Sequence, residues 1–337
     1  MSATRCRYGG SEGQRTWAAI LEGTDAPGAG RANNRRVPVS RRPFSGALQA
    51  ARRAKHLGFV AVKRGRRART QAIDFLLRLR ASLGDYAFDP EHHRDVYGEF
   101  PRMYFLHRPA GVDHVPTTAP PRRVFCFWTA ENAMSEARRA ALDAMQAGIG
   151  VPVTLITPDN LADWVVPGAP LHPAYDALSA VHRSDYLRAY VMWHHGGGYS
   201  DVKRPTSDWS GAWDAFDDPQ VWLAGYPEVS SRSCGGDDHT RLGRDIHRNF
   251  PRLVGFGAFI MRPGTPFARE WLREIERRLD YYSAELMAAP GDTWGDAPGY
   301  PLRWIEIGSD VFHPLQLKHL QHVRQDPRLL PRLNGHR

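Results

Sequence analysis

From about Arg122 onward, short apolar runs of strand length alternate with segments whose apolar positions recur at helical spacing. Val124 to Trp128 is a continuous apolar run, which reads as a strand covered on both faces. Ser135 to Ala147 has the spacing of an amphipathic helix. Val151 to Ile156 follows as a second strand, closed by the turn-forming Thr157-Pro158-Asp159-Asn160. Leu178 to His195 is helical, and Gly196-Gly197-Gly198 stops it, because glycine enters left-handed conformations without a Cβ penalty. Tyr199 to Val202 then begins a strand. Further strands are expected at Val221 to Ala224 and Ala258 to Met261, a helix from Phe267 to Leu279, and a closing segment from Trp304 to Leu317. The alternation predicts an α/β fold, a mostly parallel sheet with helices on both faces. Ser230 to Arg248, rich in Ser, Gly, Asp, His and Arg, reads as a surface loop of the length that often closes over a site.

Upstream the texture differs. Residues 1–45 are rich in Gly, Ala, Ser, Arg and Pro without apolar periodicity and are expected to be a disordered basic leader. Residues 46–82 carry Ala47, Leu48, Ala51, Ile73, Phe75, Leu76 and Leu79 at helical spacing. They read as an amphipathic helix, either a solvated extension or an element that packs on the main domain or on an anionic surface. The expected organisation is therefore leader 1–45, helical extension and linker 46–121, main domain 122–325 and tail 326–337.

Charge changes this picture only locally. The formal net charge is +9, yet residues 1–70 hold sixteen Lys and Arg against Glu12, Glu22 and Asp25, leaving twenty-nine basic and thirty-three acidic residues for the rest. The expected folded part is mildly acidic, which argues against specific nucleic-acid binding. No apolar run reaches the length of a membrane span, although peripheral membrane contact stays open. Cys6, Cys126 and Cys234 are far apart with no CxxC, which suits a reducing, cytoplasmic setting.

The chemistry concentrates between Arg183-Ser184-Asp185-Tyr186-Leu187-Arg188 and Gly197-Gly198-Tyr199-Ser200-Asp201-Val202-Lys203. On a helix, Val181, Asp185, Arg188 and Met192 fall on one stripe, so an acid and a base share an inward face. Burying them costs several kcal/mol unless they pair or meet a ligand, and a purely structural ion pair satisfies that as well as a binding site does. Asp201 is expected at the carboxyl edge of the parallel sheet, where open α/β folds bind ligands.

These residues resemble the sugar-binding region of glycosyltransferases with the GT-A fold that carry a DXD motif, a Rossmann-like architecture. The similarity is to the mannosyltransferase-like and capsular polysaccharide synthesis groups, and more distantly to the clostridial glucosylating toxins. It extends from Arg123 to about His319, roughly three-fifths of the chain, and is specific only from Ser184 to Asp201. The resemblance implies transfer of a sugar from a nucleotide-sugar donor to a glycan or other hydroxyl acceptor, with retention of configuration. It implies base stacking on Trp128, contact of ribose, sugar or phosphate with Asp185 and Arg188, and contact of sugar or ribose with Asp201. Gly197, Gly198 and Tyr199 fall in the same donor-binding segment.

The departure from the family lies at Lys203, which stands where the second acid of DXD would ligate manganese or magnesium. A departing diphosphate needs its charge neutralised by a metal or by positioned cations. The chain has four lysines, Lys55, Lys63, Lys203 and Lys318, so a lysine in this motif is conspicuous. Lys203 is expected to replace the metal in part, with His313 and Lys318 approaching the same phosphates. The alternative is a metal held by Asp201 with Asp310 and His313. Glu228 and Tyr226, just after an apolar strand, are acceptor-side candidates, Glu228 being equally readable as a surface residue. Gly255-Phe256-Gly257 would let backbone approach a sugar closely. A weakly active or non-catalytic module that binds a sugar nucleotide or glycan is the competing reading. A glycoside hydrolase fits less well, since it calls for neither a base-stacking tryptophan nor a phosphate-facing lysine.

Overall fold

The computed structural model describes residues 44–91 and 104–333, so the expected leader lies outside the described residues except for its last two positions. It contains six strands, β1 (Val124–Phe127), β2 (Val153–Ile156), β3 (Gly197–Ser200), β4 (Leu223–Pro227), β5 (Val254–Met261) and β6 (Val323–Gln325). The helices are α1 (Phe44–Ser82), α2 (Glu136–Gly148), α3 (Ala180–His194), α4 (Arg241–Asn249), α5 (Pro266–Tyr281), α6 (Ser283–Ala288) and α7 (Ser309–Lys318). Short 3₁₀ turns connect them. The chain divides into two units, Met1–Ala68 and Arg69–Arg337, and the sheet belongs to the second.

The strands form one sheet in the order β2-β1-β3-β5-β4-β6. β1 pairs parallel with β2 and β3, and β4 pairs parallel with β6, while β5 runs antiparallel to both β3 and β4. The protein is thus α/β with a mixed, mostly parallel sheet. Alternate residues supply two cores, which is why β1 is apolar at every position. Phe125, Phe127, Tyr199, Phe259 and Met261 pack into the layer that holds α3, α5 and α7. Val124, Cys126, Ala258 and Ile260 pack on the other face against Ala141 and Met145 of α2 and the 3₁₀ turn carrying Trp213 and Phe216. Helices cover both faces, as expected.

Local sequence explains where the elements begin. Ser135, Ser179 and Thr265 accept hydrogen bonds from the backbone N–H of Arg138, His182 and Ala268, which caps α2, α3 and α5. After α3, Gly196 (φ 65°) and Gly197 (φ 95°) take the left-handed conformations that stop the helix, and Gly196 donates to the Val191 carbonyl. Gly198 needs no such freedom. It already lies in β3, which begins two residues earlier than the apolar pattern placed the strand.

Three expectations need correction. Ser230 to Arg248 is not a surface loop: Thr240 caps α4, whose Leu242 and Ile246 are fully buried. Polar composition hid a helix with a narrow apolar face. Residues 326–333, expected as part of a tail, pack on the same unit, since Leu329 is buried and Pro331 bridges to Pro205. The unit holding the sheet is accordingly wider than 122–325, and Phe105 and Leu106 lie in its core.

One buried charge at the end of β5 is held chiefly by backbone carbonyls. Arg262 is fully buried, and its guanidinium donates to the carbonyls of Val221, Phe216, Asp218, Thr117 and Thr118. Replacing it by methionine strands these acceptors, so Arg262→Met is expected to lower unfolding free energy by about 3–5 kcal/mol in a denaturant titration.

Candidate functional site

At the carboxyl end of β3 the chain turns sharply, with Lys203 N–H donating to the Asp201 carbonyl at 2.6 Å. Asp201 keeps the parity of Tyr199 and therefore faces the layer containing α3. There it meets the helix residues. Arg188 Nη1 lies 3.2 Å from Asp185 Oδ1, and Arg188 Nη2 lies 3.2 Å from Asp201 Oδ1. Lys203 Nζ contacts Asp201 Oδ2 at 2.9 Å, and the Tyr199 hydroxyl donates to Asp201 Oδ1 at 2.7 Å. The guanidinium of Arg188 sits over the rings of Tyr199 and Phe256, 4.6 and 4.2 Å from their centroids. Asp185, Arg188, Tyr199, Asp201 and Lys203, five of the residues picked out from the sequence, form one cluster. Lys203 does not project into solvent.

The two carboxyls experience opposite surroundings. Burial pushes Asp185 up to about 7, because Arg188 offsets only part of the lost hydration and Asp201 repels it. Burial acts on Asp201 in the same direction. Lys203 and Arg188 outweigh it, with hydrogen bonds from Lys203 and Tyr199, and hold that carboxyl well below the usual range. Burial raises the Tyr199 phenol well above its ordinary value, so it stays protonated and donates. The Arg188 guanidinium and the Lys203 ammonium therefore face one acid held well below and one raised above the ordinary carboxylate range. The cluster opens at Asp201 and Lys203, whose side chains retain 25% and 16% of their accessibility, while Asp185 keeps 6%.

Glycines shape this site by close approach rather than by touching a ligand. A Cβ on Gly308 would stand 2.9 Å from Asp185 Oδ2, and one on Gly257 would stand 3.1 Å from Asp201 Oδ2. A Cβ on Gly255 would collide with the Tyr226 ring at 2.0 Å. The space that Gly255 and Gly257 leave is filled by the protein's own side chains. The segment before α7 is pinned by an ion network: Glu274 binds Arg277 and Arg278, Glu306 binds Arg303, and Arg303 reaches Asp310.

Several expected participants lie elsewhere. Gly197 and Gly198 stand at the amino end of β3, backed by the Arg123 carbonyl and Val124, at the opposite end of the strand from Asp201. Lys318 is paired with Glu270 through both carboxylate oxygens at 2.9 Å, with His319 on the same acid at 3.2 Å. Asp310 accepts from Gly236 N–H and Arg303. His313 is fully buried beside Glu228 and Cys234. Asp201, Asp310 and His313 therefore do not converge on one ion. Glu228 is 2% exposed, not a surface residue, and its carboxylate accepts from Val229 N–H. Tyr226 is buried with its ring against Gly255. A Cβ on Gly257 would lie 3.4 Å from the Tyr226 hydroxyl and 3.1 Å from Asp201 Oδ2, so that hydroxyl lies beside the cluster. Trp128 is half-buried at the end of β1, its indole N–H donating to the Asn132 carbonyl.

Glu228, Cys234 and His313 place their ligand atoms within 4.8 Å of one another. The imidazole argues against a metal there. Its Nδ1 accepts the Gly235 N–H at 2.9 Å, so the ring proton resides on Nε2, 3.4 Å from Glu228 Oε2. Coordination through Nε2 would need that proton moved to Nδ1, against another donor. Burial also raises the Cys234 thiol well above its ordinary value. The residues present fit neither this nor the DXD-type metal, since Lys203 holds the oxygen of Asp201 that an ion would take.

Sequence reasoning missed three contributors. Phe256, between the two glycines, stacks on Arg188; its only signal was an aromatic residue in a glycine-flanked strand. A pocket of about 150 Å³ opens at the carboxyl ends of β1 and β2, lined by Thr129, Thr157, Tyr175, Asp176 and Arg183 among others. Arg183 is in the quoted motif but carried no assigned role. A larger cleft of about 310 Å³, between the end of α2 and the segment Arg204 to Asp208, contains none of the charged cluster. His182 was also overlooked. It is buried and pushed down to about 4 by burial, and it is hydrogen-bonded to Tyr300 and the Arg303 carbonyl.

Comparison with known protein families finds no model that matches this chain, and comparison with curated proteins finds no similar sequence.

The raised Asp185 carboxyl has a thermodynamic signature. Its native value lies above that of the unfolded chain, so its ionisation opposes folding, and its effect on stability worsens as pH rises from about 4 to 7. Asp185→Asn removes this cost. The stability difference between variant and wild type is expected to shift in the variant's favour between pH 5 and pH 8, by on the order of 1–3 kcal/mol. Thermal melts across that range measure it, and a pH-independent difference would contradict the assignment.

Proposed function

We propose that this protein is a glycosyltransferase of the GT-A type that transfers a sugar from a nucleotide-sugar donor to a hydroxyl acceptor and uses Lys203 in place of a divalent metal. The observation that carries the reading is Arg188 bridging a helix acid and a strand-tip acid, with Lys203 on the free oxygen of the latter. This arrangement lies at the carboxyl edge of the sheet, with a small pocket at the same edge. The class follows from the resemblance around Ser184 to Asp201, and the charge balance suits it.

Chemically, the donor's diphosphate approaches the open end of the cluster at Asp201 and Lys203. Lys203 and Arg188 neutralise the charge that develops as the bond between the anomeric carbon and the phosphate oxygen breaks. The acceptor oxygen forms the new bond to that carbon, and its proton passes to the departing phosphate oxygen. Asp201, kept ionised, orients both cations and accepts hydrogen bonds from donor hydroxyls. Asp185 holds Arg188 from behind without adding a full negative charge. Trp128, at the rim of β1, supplies a ring for the base. Retention of configuration follows from the resemblance.

A second reading is favoured by one feature of the same site. Both oxygens of Asp201 are already engaged, by Arg188 and Tyr199 on one side and Lys203 on the other. A carboxylate so fully engaged also suits a module that binds a sugar nucleotide without turning it over.

Nucleoside diphosphate release from a panel of nucleotide sugars, run beside calorimetry, separates the two. Turnover is expected to survive excess chelator, and Lys203→Ala and Asp201→Ala are each expected to cost on the order of a hundredfold or more in kcat. Binding without release would favour the module. Loss of activity in chelator that manganese restores would remove the lysine substitution, and wild-type rates in both variants would remove the site.

A further inference from the structure

Trp209, Trp213, Trp222 and Trp271 are core residues, each retaining 8% or less of its accessibility. Among the described residues only two tryptophans are exposed, Trp294 at 58% and Trp304 at 39%. A single exposed apolar side chain is ordinary on a protein surface. Two of the largest, on one segment that the fold holds firmly in place, call for a physical reason.

The segment from Gly291 to Gly308 follows α3 from its cap towards the charged cluster. Gly291 N–H donates to the Ala177 carbonyl, and Ala180 N–H donates to the Asp292 carbonyl. The Asp292 carboxylate accepts from the N–H groups of Trp294 and Gly295 and fixes the turn between them. His182 then ties the two tryptophan-bearing stretches together. Its Nε2 lies 3.2 Å from the Arg303 carbonyl and carries the ring proton, so Nδ1 accepts from the Tyr300 hydroxyl at 2.8 Å. A Cβ on Gly295 would stand 3.4 Å from Cε1 of the same ring. One buried imidazole thus contacts the residue after Trp294 and the residue before Trp304, so the two indoles leave neighbouring stretches of backbone. At the far end of the segment, Gly308 closes on Asp185.

Charge narrows what such a surface can hold. From Ala289 to Leu302 the sequence has Asp292 and Asp296, both exposed, and no Lys, Arg or His. The phosphates of a nucleic acid or an anionic bilayer are repelled there. A wholly apolar partner would cover the two carboxylates without offering them a donor. A neutral sugar meets both demands, because a pyranose ring presents a face of C–H groups to an indole and a rim of hydroxyls to carboxylates. We propose that Trp294 and Trp304 form a stacking platform for a neutral oligosaccharide. This names a glycan as the acceptor, and only that acceptor role rests on the sugar-transfer reading. The carboxylates of Asp292 and Asp296 accept from the sugar hydroxyls, and the segment leads the bound glycan along α3 towards Asp201 and Lys203.

Calorimetric titration of the full chain with a panel of neutral gluco-, manno- and galacto-oligosaccharides, run without any donor, tests the platform. At least one is expected to bind, with Trp294→Ala and Trp304→Ala each weakening the Kd about tenfold. Trp294→Tyr is expected to recover most of that loss, since it restores an aromatic face. Thermal melts run alongside show whether each variant keeps its fold, and Trp294→Ala, at the more exposed position, carries the comparison if Trp304→Ala melts early. Absence of binding by every oligosaccharide of the panel overturns the inference, as does binding that a stably folded alanine variant retains in full. Nucleoside diphosphate release is measured separately on the wild type. Release without oligosaccharide binding removes the platform and leaves the transfer reading, whereas tryptophan-dependent binding without release supports the platform and removes the transfer reading.

Discussion

The arrangement depends on a buried guanidinium. Arg188 is nearly inaccessible, and moving its charge out of water costs several kcal/mol that packing alone does not return. The compensation comes from four directions: Asp185 one helical turn away on the same helix, Asp201 from the end of β3, and the faces of Tyr199 and Phe256. Satisfying all of them ties the rotation and height of α3 to the end of the central strand. That constraint explains why α3 is buried on every side from Asp185 to Met192, and why glycine stands at 257 and 308, where a Cβ would crowd the two carboxylates.

From the same constraint comes an asymmetry between two acids that are chemically alike. Asp201 meets two cations and a phenolic donor, whereas Asp185 meets one cation from a deeper position. One is held ionised and the other lifted towards neutral pH. Placing Lys203 two residues after Asp201, across a tight turn, lets its ammonium fold back onto the carboxylate.

Elsewhere buried charged and polar groups pair among themselves. Lys318 and His319 share Glu270, and His313 is held by Gly235 beside Glu228. Arg278 and Arg303 bind Glu274, Glu306 and Asp310. Residues suited by type to phosphate or metal contact here link α5, α7 and the segment before α7.

The order of strands and helices was legible in the chain because it rests on local effects: apolar runs of strand length, caps at Ser135, Ser179 and Thr265, and left-handed glycines at 196 and 197. The pairing of Asp185 with Arg188 was legible too, since helical spacing fixes which side chains share a face. Helix α4 was not, because a short amphipathic helix rich in Arg, Asp and His has the composition of a loop. Nor could spacing reveal the antiparallel β5, the burial of Glu228, or the partners of His313 and Lys318, which are set by contacts between residues 48 to 85 positions apart. Sequence determined what depends on neighbours along the chain. Tertiary structure alone decided which charges face each other across it, because a lysine or histidine has the same local signature whether it meets a ligand or a buried glutamate.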